Sequence, residues 1–144
     1  MIRIKEFHHL SRECRDLEKS RSFYEKIIGF QVIARPPFET AGYWMSGHSI
    51  CVHLFESKVV TERSALIDAR WAHFNQYLPE ADHIAFLVDD IPSVEAVLVS
   101  EHIHYKKNEV PLTGATQLFV FDPDNNVIEL SNCAPPNGEL KCIT

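Results

Sequence analysis

Two histidines stand at equivalent distances before two helix starts. His9 lies seven residues before Asp16, and His83 lies seven residues before Asp90. Each histidine is followed by an apolar residue, and aspartate is a favoured N-cap residue of a helix. The chain therefore reads as two copies of one module, and both copies carry a potential metal ligand at the same place.

The last strand predicted in each copy carries a second potential ligand. Cys51-Val52-His53-Leu54 aligns with Val127-Ile128-Glu129-Leu130. A glutamate in an apolar strand needs a partner, because an unpaired charge is costly to bury. Three imidazoles and one carboxylate suit Zn, Ni, Co, Mn or Fe(II). We therefore predict one divalent metal site, with the ligands His9, His53, His83 and Glu129.

The first copy must position its histidines on strands around one helix. Residues 6–14 alternate loosely in polarity and predict a strand. A helix is expected from the Asp16 cap to the stop signal at Gly29. Three shorter strands are predicted to follow it, at 30–34, 43–45 and 49–55. The resulting order is β-α-β-β-β.

The second copy repeats this order. A strand is predicted at 82–88, and a helix begins at Asp90 with Pro92 in its first turn. Three strands follow at 104–105, 117–121 and 127–131. The last of them is fed by the turn Asp122-Pro123-Asp124-Asn125-Asn126. We predict one α+β domain over residues 1–144, divided into module one (6–56), a linker (57–81), module two (82–132) and a tail (133–144).

Composition excludes several classes of partner. The net charge is -6 and the sequence contains no Lys/Arg run, which argues against nucleic acid or an anionic membrane surface. No apolar run approaches the ~20 residues of a membrane helix, and the first residues lack the apolar stretch of a signal peptide. A cytoplasmic protein is expected. The four cysteines form no CxxC pair and are expected to be free thiols.

Motifs along nearly the whole chain resemble the vicinal oxygen chelate superfamily. They are His9-Leu10, Asp16-Leu17-Glu18-Lys19-Ser20, Phe23-Tyr24, Ile28-Gly29-Phe30, Asp82-His83-Ile84, Asp122-Pro123-Asp124 and Ile128-Glu129-Leu130. This superfamily includes glyoxalase I, extradiol dioxygenases, fosfomycin-resistance enzymes and bleomycin-binding proteins. The resemblance implies paired βαβββ modules that form a half-barrel around a divalent metal. It places His9, His83 and Glu129 at the common two-His-one-carboxylate positions and His53 at the variable fourth position.

The likeness is nearest to glyoxalase-I-like proteins of plants, whose role is not settled. The resemblance to glyoxalase I itself implies a lyase or isomerase. In this family, the metal binds two neighbouring oxygens of a small substrate and stabilises a developing enolate. Glu129 is then the candidate base. Bacterial glyoxalase I has glutamate at the His53 position, and it has an arginine that helps to hold glutathione at the position of Glu13. Glu13 would repel that carboxylate, so the use of glutathione is left open.

Two other functions remain open from the sequence. An Fe(II)-dependent dioxygenase needs two histidines, one carboxylate and open coordination positions, which His9, His83 and Glu129 provide. A non-enzymatic small-molecule binding or resistance protein is the second alternative, although bleomycin-binding members generally lack the metal ligands.

The strand alternation also predicts the residues around the metal. Side chains two apart on a strand share a face. The expected substrate pocket is lined by Ser11, Glu13, Cys51 and Phe55. Members of this size usually dimerise, and we expect a homodimer in which His9 and His53 come from one chain and His83 and Glu129 from its partner.

Overall fold

The computed structural model describes residues 1–57, 82–111 and 114–132. Two compact units make up the chain: Met1–Ala69 with Asp122–Asp124, and Arg70–Phe121 with Asn125–Thr144. The predicted linker, apart from Ser57, and the predicted tail lie outside the described residues, as do Cys133 and Cys142.

The first unit contains a βαβββ arrangement. Its elements are β1 (Leu10–Cys14), α1 (Leu17–Phe23), β2 (Gln31–Ile33), β3 (Gly42–Gly47) and β4 (Ile50–Glu56). The strand order is β1-β4-β3-β2. Strands β1 and β4 run parallel, whereas the other neighbours are antiparallel.

Local signals set the ends of the first helix. The Asp16 carboxylate accepts a hydrogen bond from the Lys19 backbone N–H at 3.0 Å, as its prediction as a cap requires. A π-helical turn, Tyr24–Ile28, continues α1 to Gly29. Gly29 has a φ of 84°, a left-handed conformation that glycine adopts without steric cost. The predicted helix stop is confirmed.

The two faces of the first sheet differ in chemistry. Val52 and Leu54 are fully buried on one face of β4, and α1 packs against this strand. Because side chains alternate along a strand, His53 lies on the opposite face. The helix-covered face therefore supplies the core of this unit, and the other face carries His53 and the predicted pocket residues.

The second unit repeats the arrangement. Its elements are β5 (His83–Leu87), α2 (Ile91–Ser100), β6 (Tyr105–Glu109), β7 (Thr116–Phe121) and β8 (Val127–Ser131). The strand order is β5-β8-β7-β6. Asp90 caps α2 by accepting from the Ser93 backbone N–H at 3.2 Å. None of the helices in the described part of the chain has the length and apolarity needed to cross a membrane.

Two strand predictions differ from the structure by more than two residues at one end. Residues 6–9 precede β1 rather than forming part of it, so His9 lies just outside the strand. The strand predicted at 104–105 is longer and runs over Tyr105–Glu109. Its sequence, Tyr-Lys-Lys-Asn-Glu, is polar because β6 is an edge strand, and edge strands commonly carry charge.

Gly42 is required by the close pairing of β3 and β4. A Cβ at this position would lie 2.3 Å from the Leu54 carbonyl oxygen. The neighbouring backbone would have to move, so Gly42→Ala is expected to lower the free energy of unfolding by about 3 kcal/mol. Urea unfolding measures this change. Ser46→Ala in the same strand is the matched control and should change stability by less than about 0.5 kcal/mol; equal effects would contradict the steric explanation.

Candidate metal centre

A histidine and a buried carboxylate meet on the second sheet. Glu129 lies on β8, between β5 and β7, and is 7% exposed. His83 begins β5, and its Nε2 lies 3.1 Å from Glu129 Oε2. The structure therefore brings two of the four predicted metal ligands into contact.

The spacing of this pair fits two ligands of one metal ion. Zn–N and Zn–O distances near 2.1 Å place two ligand atoms about 3.0–3.4 Å apart in tetrahedral or octahedral coordination. The 3.1 Å separation of Nε2 and Oε2 falls in this range. Imidazole nitrogen and carboxylate oxygen are also ligand types that divalent transition metals accept. The two residues fit the predicted ion in both distance and chemistry.

The other oxygen of Glu129 is held by a polar side chain. Gln117 donates from Nε2 to Glu129 Oε1 at 2.9 Å. Asn108 in turn donates from Nδ2 to Gln117 Oε1 at 2.8 Å. Neither amide was predicted from the sequence as a site residue. Only the strand register, which pairs Asn108 with Gln117, could have revealed them.

The remaining two predicted ligands meet in the first unit as stacked rings. The centroids of His9 and His53 lie 4.0 Å apart, with 16° between the ring planes. Trp44 stacks on the other side of His53 at 4.3 Å and 4°. The lone pairs of parallel rings do not converge on one point, so joint coordination requires one ring to turn. His9 is exposed and precedes β1, whereas the ring of His53 is packed on both sides.

His53 is suited to bind as a neutral imidazole. It is 7% exposed. Burial lowers its pKa below the ordinary histidine value, and the positive charges of His9, His8 and Arg35 lower it further. A neutral imidazole keeps a lone pair available for a metal or a proton.

The predicted pocket residues surround His53 on its face of the sheet. Ser11 pairs with His53 across β1 and β4, and Glu13 pairs with Phe55. The Phe55 ring lies 6.3 Å from the His53 ring. Cys51, two residues before His53, shares this face and is half-buried. Glu13 is exposed and accepts a hydrogen bond from the Ser57 hydroxyl at 3.0 Å.

Trp44 adds an unsatisfied donor to this face. Its Nε1 is buried and has no hydrogen-bond partner among the described residues. Buried polar atoms usually have a partner, so this N–H is a donor available to an acceptor from outside the described residues. Trp44 was not predicted from the sequence as a site residue, although its register opposite His53 places it beside that ring.

The two pairs are separate features of the two units. Within residues 1–57, 82–111 and 114–132, no three His, Cys, Asp or Glu side chains form a cluster that could hold a metal ion. His9 and His53 belong to the first unit, and His83 and Glu129 belong to the second. The four-ligand site stays a prediction.

The turn 122–124, here called the acidic turn, belongs to the first unit and is buried there. The Tyr24 hydroxyl donates to Asp122 Oδ2 at 2.8 Å. Asp124 accepts from the Ser20 hydroxyl at 2.5 Å and from the Arg15 backbone N–H at 2.7 Å. Burial, and then the charge of Asp122, raise the pKa of Tyr24. The hydroxyl therefore remains protonated and able to donate.

Cys14 lies beside the acidic turn and is expected to be unreactive. Burial is the main cause that raises the pKa of the Cys14 thiol to about 12, and the nearby Asp124 contributes. The thiolate is the reactive form, and a raised pKa keeps it scarce at pH 8. In the native protein, iodoacetamide should therefore modify Cys14 at least about tenfold more slowly than in urea, as peptide mass spectrometry can show. Equal rates would contradict the burial of this thiol.

Comparison with known proteins supports the fold and indicates a family. A family model described as the Glyoxalase/Bleomycin resistance protein/Dioxygenase superfamily matches residues 6–130. "Glyoxylase I 4" of Arabidopsis thaliana is 31% identical over 138 residues, which cover 92% of this chain and 73% of that protein.

Solved structures match over most of the chain. The fosfomycin resistance protein FosX from Listeria monocytogenes has a TM-score of 0.69 and 17% identity, covering 90% of this chain and 93% of its own. A glyoxalase family protein from Enterococcus faecalis has a TM-score of 0.66 and 25% identity, covering 88% of this chain and 97% of its own. The FosX likeness shows the fold alone. Together these matches confirm the predicted fold class.

Proposed function

Because this chain belongs to the Glyoxalase/Bleomycin resistance protein/Dioxygenase superfamily, we propose that it is a divalent-metal-dependent lyase or isomerase of the glyoxalase I type. The observation that carries the proposal is the contact between His83 and the buried Glu129 at 3.1 Å. A buried carboxylate is costly unless a positive charge compensates it. A divalent metal ion held by Glu129 and His83 would supply that charge. The similarity to a glyoxalase-I-like plant protein supports this reaction class.

In this proposal, His9, His53, His83 and Glu129 hold the ion. When bound, a divalent metal acts as a Lewis acid on two neighbouring substrate oxygens. Glu129 Oε2 would leave the ion, take a proton from the hydroxyl-bearing carbon beside the substrate carbonyl and return it to the carbonyl carbon. The hydroxyl proton would pass to the former carbonyl oxygen, so the substrate is isomerised without an external reactant. Gln117 holds Glu129 Oε1 during this transfer, since its amide donates to that oxygen. The Trp44 indole N–H offers a donor to a further substrate oxygen.

Elemental analysis of protein purified without chelator tests the proposal. About one Zn, Ni or Co per chain, together with isomerase or lyase activity on small dicarbonyl adducts, is the expected result. If no metal is present and none is taken up from Zn, Ni, Co, Mn or Fe(II), the metalloenzyme proposal is wrong. The non-enzymatic binding function then becomes the better account.

The stacked His53 favours one alternative function. Its ring lies between His9 and Trp44, so it is the predicted ligand least free to turn. If His53 stays off the metal, then His9, His83 and Glu129 remain as the two-His-one-carboxylate set of Fe(II) oxygenases. Anaerobic loading with Fe(II), followed by oxygen uptake with a catechol panel, identifies this chemistry; no uptake with any catechol counts against it.

We further propose that the site is shared between two chains of a homodimer. Each chain contributes His9 and His53 to one site and His83 and Glu129 to the other. Mixing His53→Ala and Glu129→Ala chains should then restore metal binding in about a quarter of the sites, because each mixed dimer holds one intact set. No restoration after subunit exchange, or a monomer in light scattering that still holds metal, would overturn the shared arrangement.

A further inference from the structure

A chain of two amides runs in one direction into Glu129. Asn108 donates to Gln117, and Gln117 donates to Glu129. We propose that Asn108 and Gln117 form an amide relay: they are positioning residues that fix Glu129 in the orientation needed for metal binding. The inference rests on the proposed metal-dependent function, and it deepens that function by assigning two residues outside the predicted ligand set.

The strand register places the three side chains on one face. Asn108 and Gln117 are directly opposite each other on β6 and β7. Phe119 pairs with Glu129, so Gln117, two residues before Phe119, is the diagonal neighbour of Glu129. Diagonal neighbours on a sheet are within reach of long side chains. The relay is therefore built into the pairing of three strands.

Hydrogen-bond chemistry fixes the direction of the relay. An ionised carboxylate only accepts hydrogen bonds, whereas a primary amide donates from nitrogen and accepts at oxygen. Glu129 therefore requires the nitrogen of Gln117. The oxygen of Gln117 must then receive a donor, which Asn108 Nδ2 supplies. Reversing either amide would set two oxygens against each other.

The two carboxylate oxygens of Glu129 have different partners. Oε1 is held by Gln117 at 2.9 Å, and Oε2 faces His83 Nε2 at 3.1 Å. Partners behind a metal ligand commonly orient it, and their loss weakens metal binding about 10–100-fold. Oε2 would thus be the oxygen available, with His83, to hold the metal.

Asn108→Asp is the most informative substitution, because it reverses the relay at nearly constant size. The introduced carboxylate only accepts, so Gln117 would turn its nitrogen toward it and its oxygen toward Glu129. Zn²⁺ binding to the full chain, measured by calorimetry, should weaken about tenfold. The added negative charge alone would strengthen binding of a cation. The sign of the change therefore separates the relay from simple electrostatics.

Two comparisons control this test. Asn132→Asp adds the same charge near the same sheet. Asn132 Oδ1 accepts from the Thr116 backbone N–H at 2.7 Å, and an aspartate keeps an oxygen for this bond. The Zn²⁺ affinity of this variant should not fall. In the Gln117→Leu background, Asn108→Asp should no longer weaken binding, because the connecting amide is gone. An equal loss with and without Gln117 would overturn the relay.

Urea unfolding of the metal-free protein tests the relay without the ion. Asn108→Asp should lower the unfolding midpoint when Gln117 is present and leave it unchanged in the Gln117→Leu background. If the wild type binds no Zn²⁺ but this dependence on Gln117 is found, the relay stands and the proposed metal function fails. If the wild type binds Zn²⁺ and Asn108→Asp binds it as tightly, the relay fails and the proposed function stands.

Discussion

Replacing Glu129 with alanine is expected to remove the metal from the protein. The content should fall from about one ion per chain to almost none, because the affinity falls by more than about 100-fold. Glu129 is the only carboxylate among the four predicted ligands, and its Oε2 lies 3.1 Å from His83 Nε2. Elemental analysis after purification without chelator measures the loss, and turnover should fall with it.

Glu109→Ala is the matched control for this experiment. Glu109 is an exposed glutamate at the end of β6 in the same sheet, so its removal should leave metal content unchanged. If Glu129→Ala retains one metal per chain while it folds normally, Glu129 is not a ligand. The contact with His83 would then serve structure alone.

Replacing Asp124 with alanine is expected to destabilise the protein by about 3 kcal/mol. Asp124 is 5% exposed and accepts from both the Ser20 hydroxyl and the Arg15 backbone N–H. The substitution leaves these donors without their acceptor and opens a cavity in the acidic turn. Urea unfolding, monitored by circular dichroism, measures the change.

Asp89→Ala is the comparison for the loss of charge alone. Asp89 is exposed, and surface substitutions usually change stability by less than about 0.5 kcal/mol. Ser20→Ala should lie between the two, since it removes one donor and leaves Asp124 with the Arg15 N–H. If Asp124→Ala were as mild as Asp89→Ala, the acidic turn would contribute nothing to stability.

The sequence predicted the fold well because its signals are local and occur twice. Each helix begins at an aspartate whose carboxylate caps it in the structure, Asp16 and Asp90. The strand predicted at Val127–Ser131 has the observed bounds. Helix caps and the alternation of apolar and polar residues along a strand depend on residues close together in the chain. These signals can therefore be recognised in the sequence alone. The repeat also named the pairs His9 with His53 and His83 with Glu129.

The details of the site depend on register, which the sequence did not provide. Trp44 lies against His53, and Gln117 against Glu129, because of strand pairings between residues distant in the chain. Alternation predicts a face but not a neighbour across the sheet. The parallel stacking of His9 on His53 could not be foreseen either, since it depends on His9 lying outside β1.

The buried acidic turn was predicted only as a turn, for a related reason. Asp-Pro-Asp-Asn-Asn has turn-forming residues, and such sequences usually lie at the surface. Its burial depends on hydroxyl donors about a hundred residues earlier in the chain, Ser20 and Tyr24. No local pattern links these donors to Asp122 and Asp124.

The acidic turn also has a consequence for how the chain folds during synthesis. The first unit consists of residues before position 70 together with Asp122–Asp124. A nascent chain that has emerged only as far as Gly114 still lacks the acceptors for Ser20 and Tyr24. The first repeat alone therefore lacks two buried residues of its own unit, although its sequence resembles half of a duplication. These hydrogen bonds can form only after most of the second repeat has been synthesised.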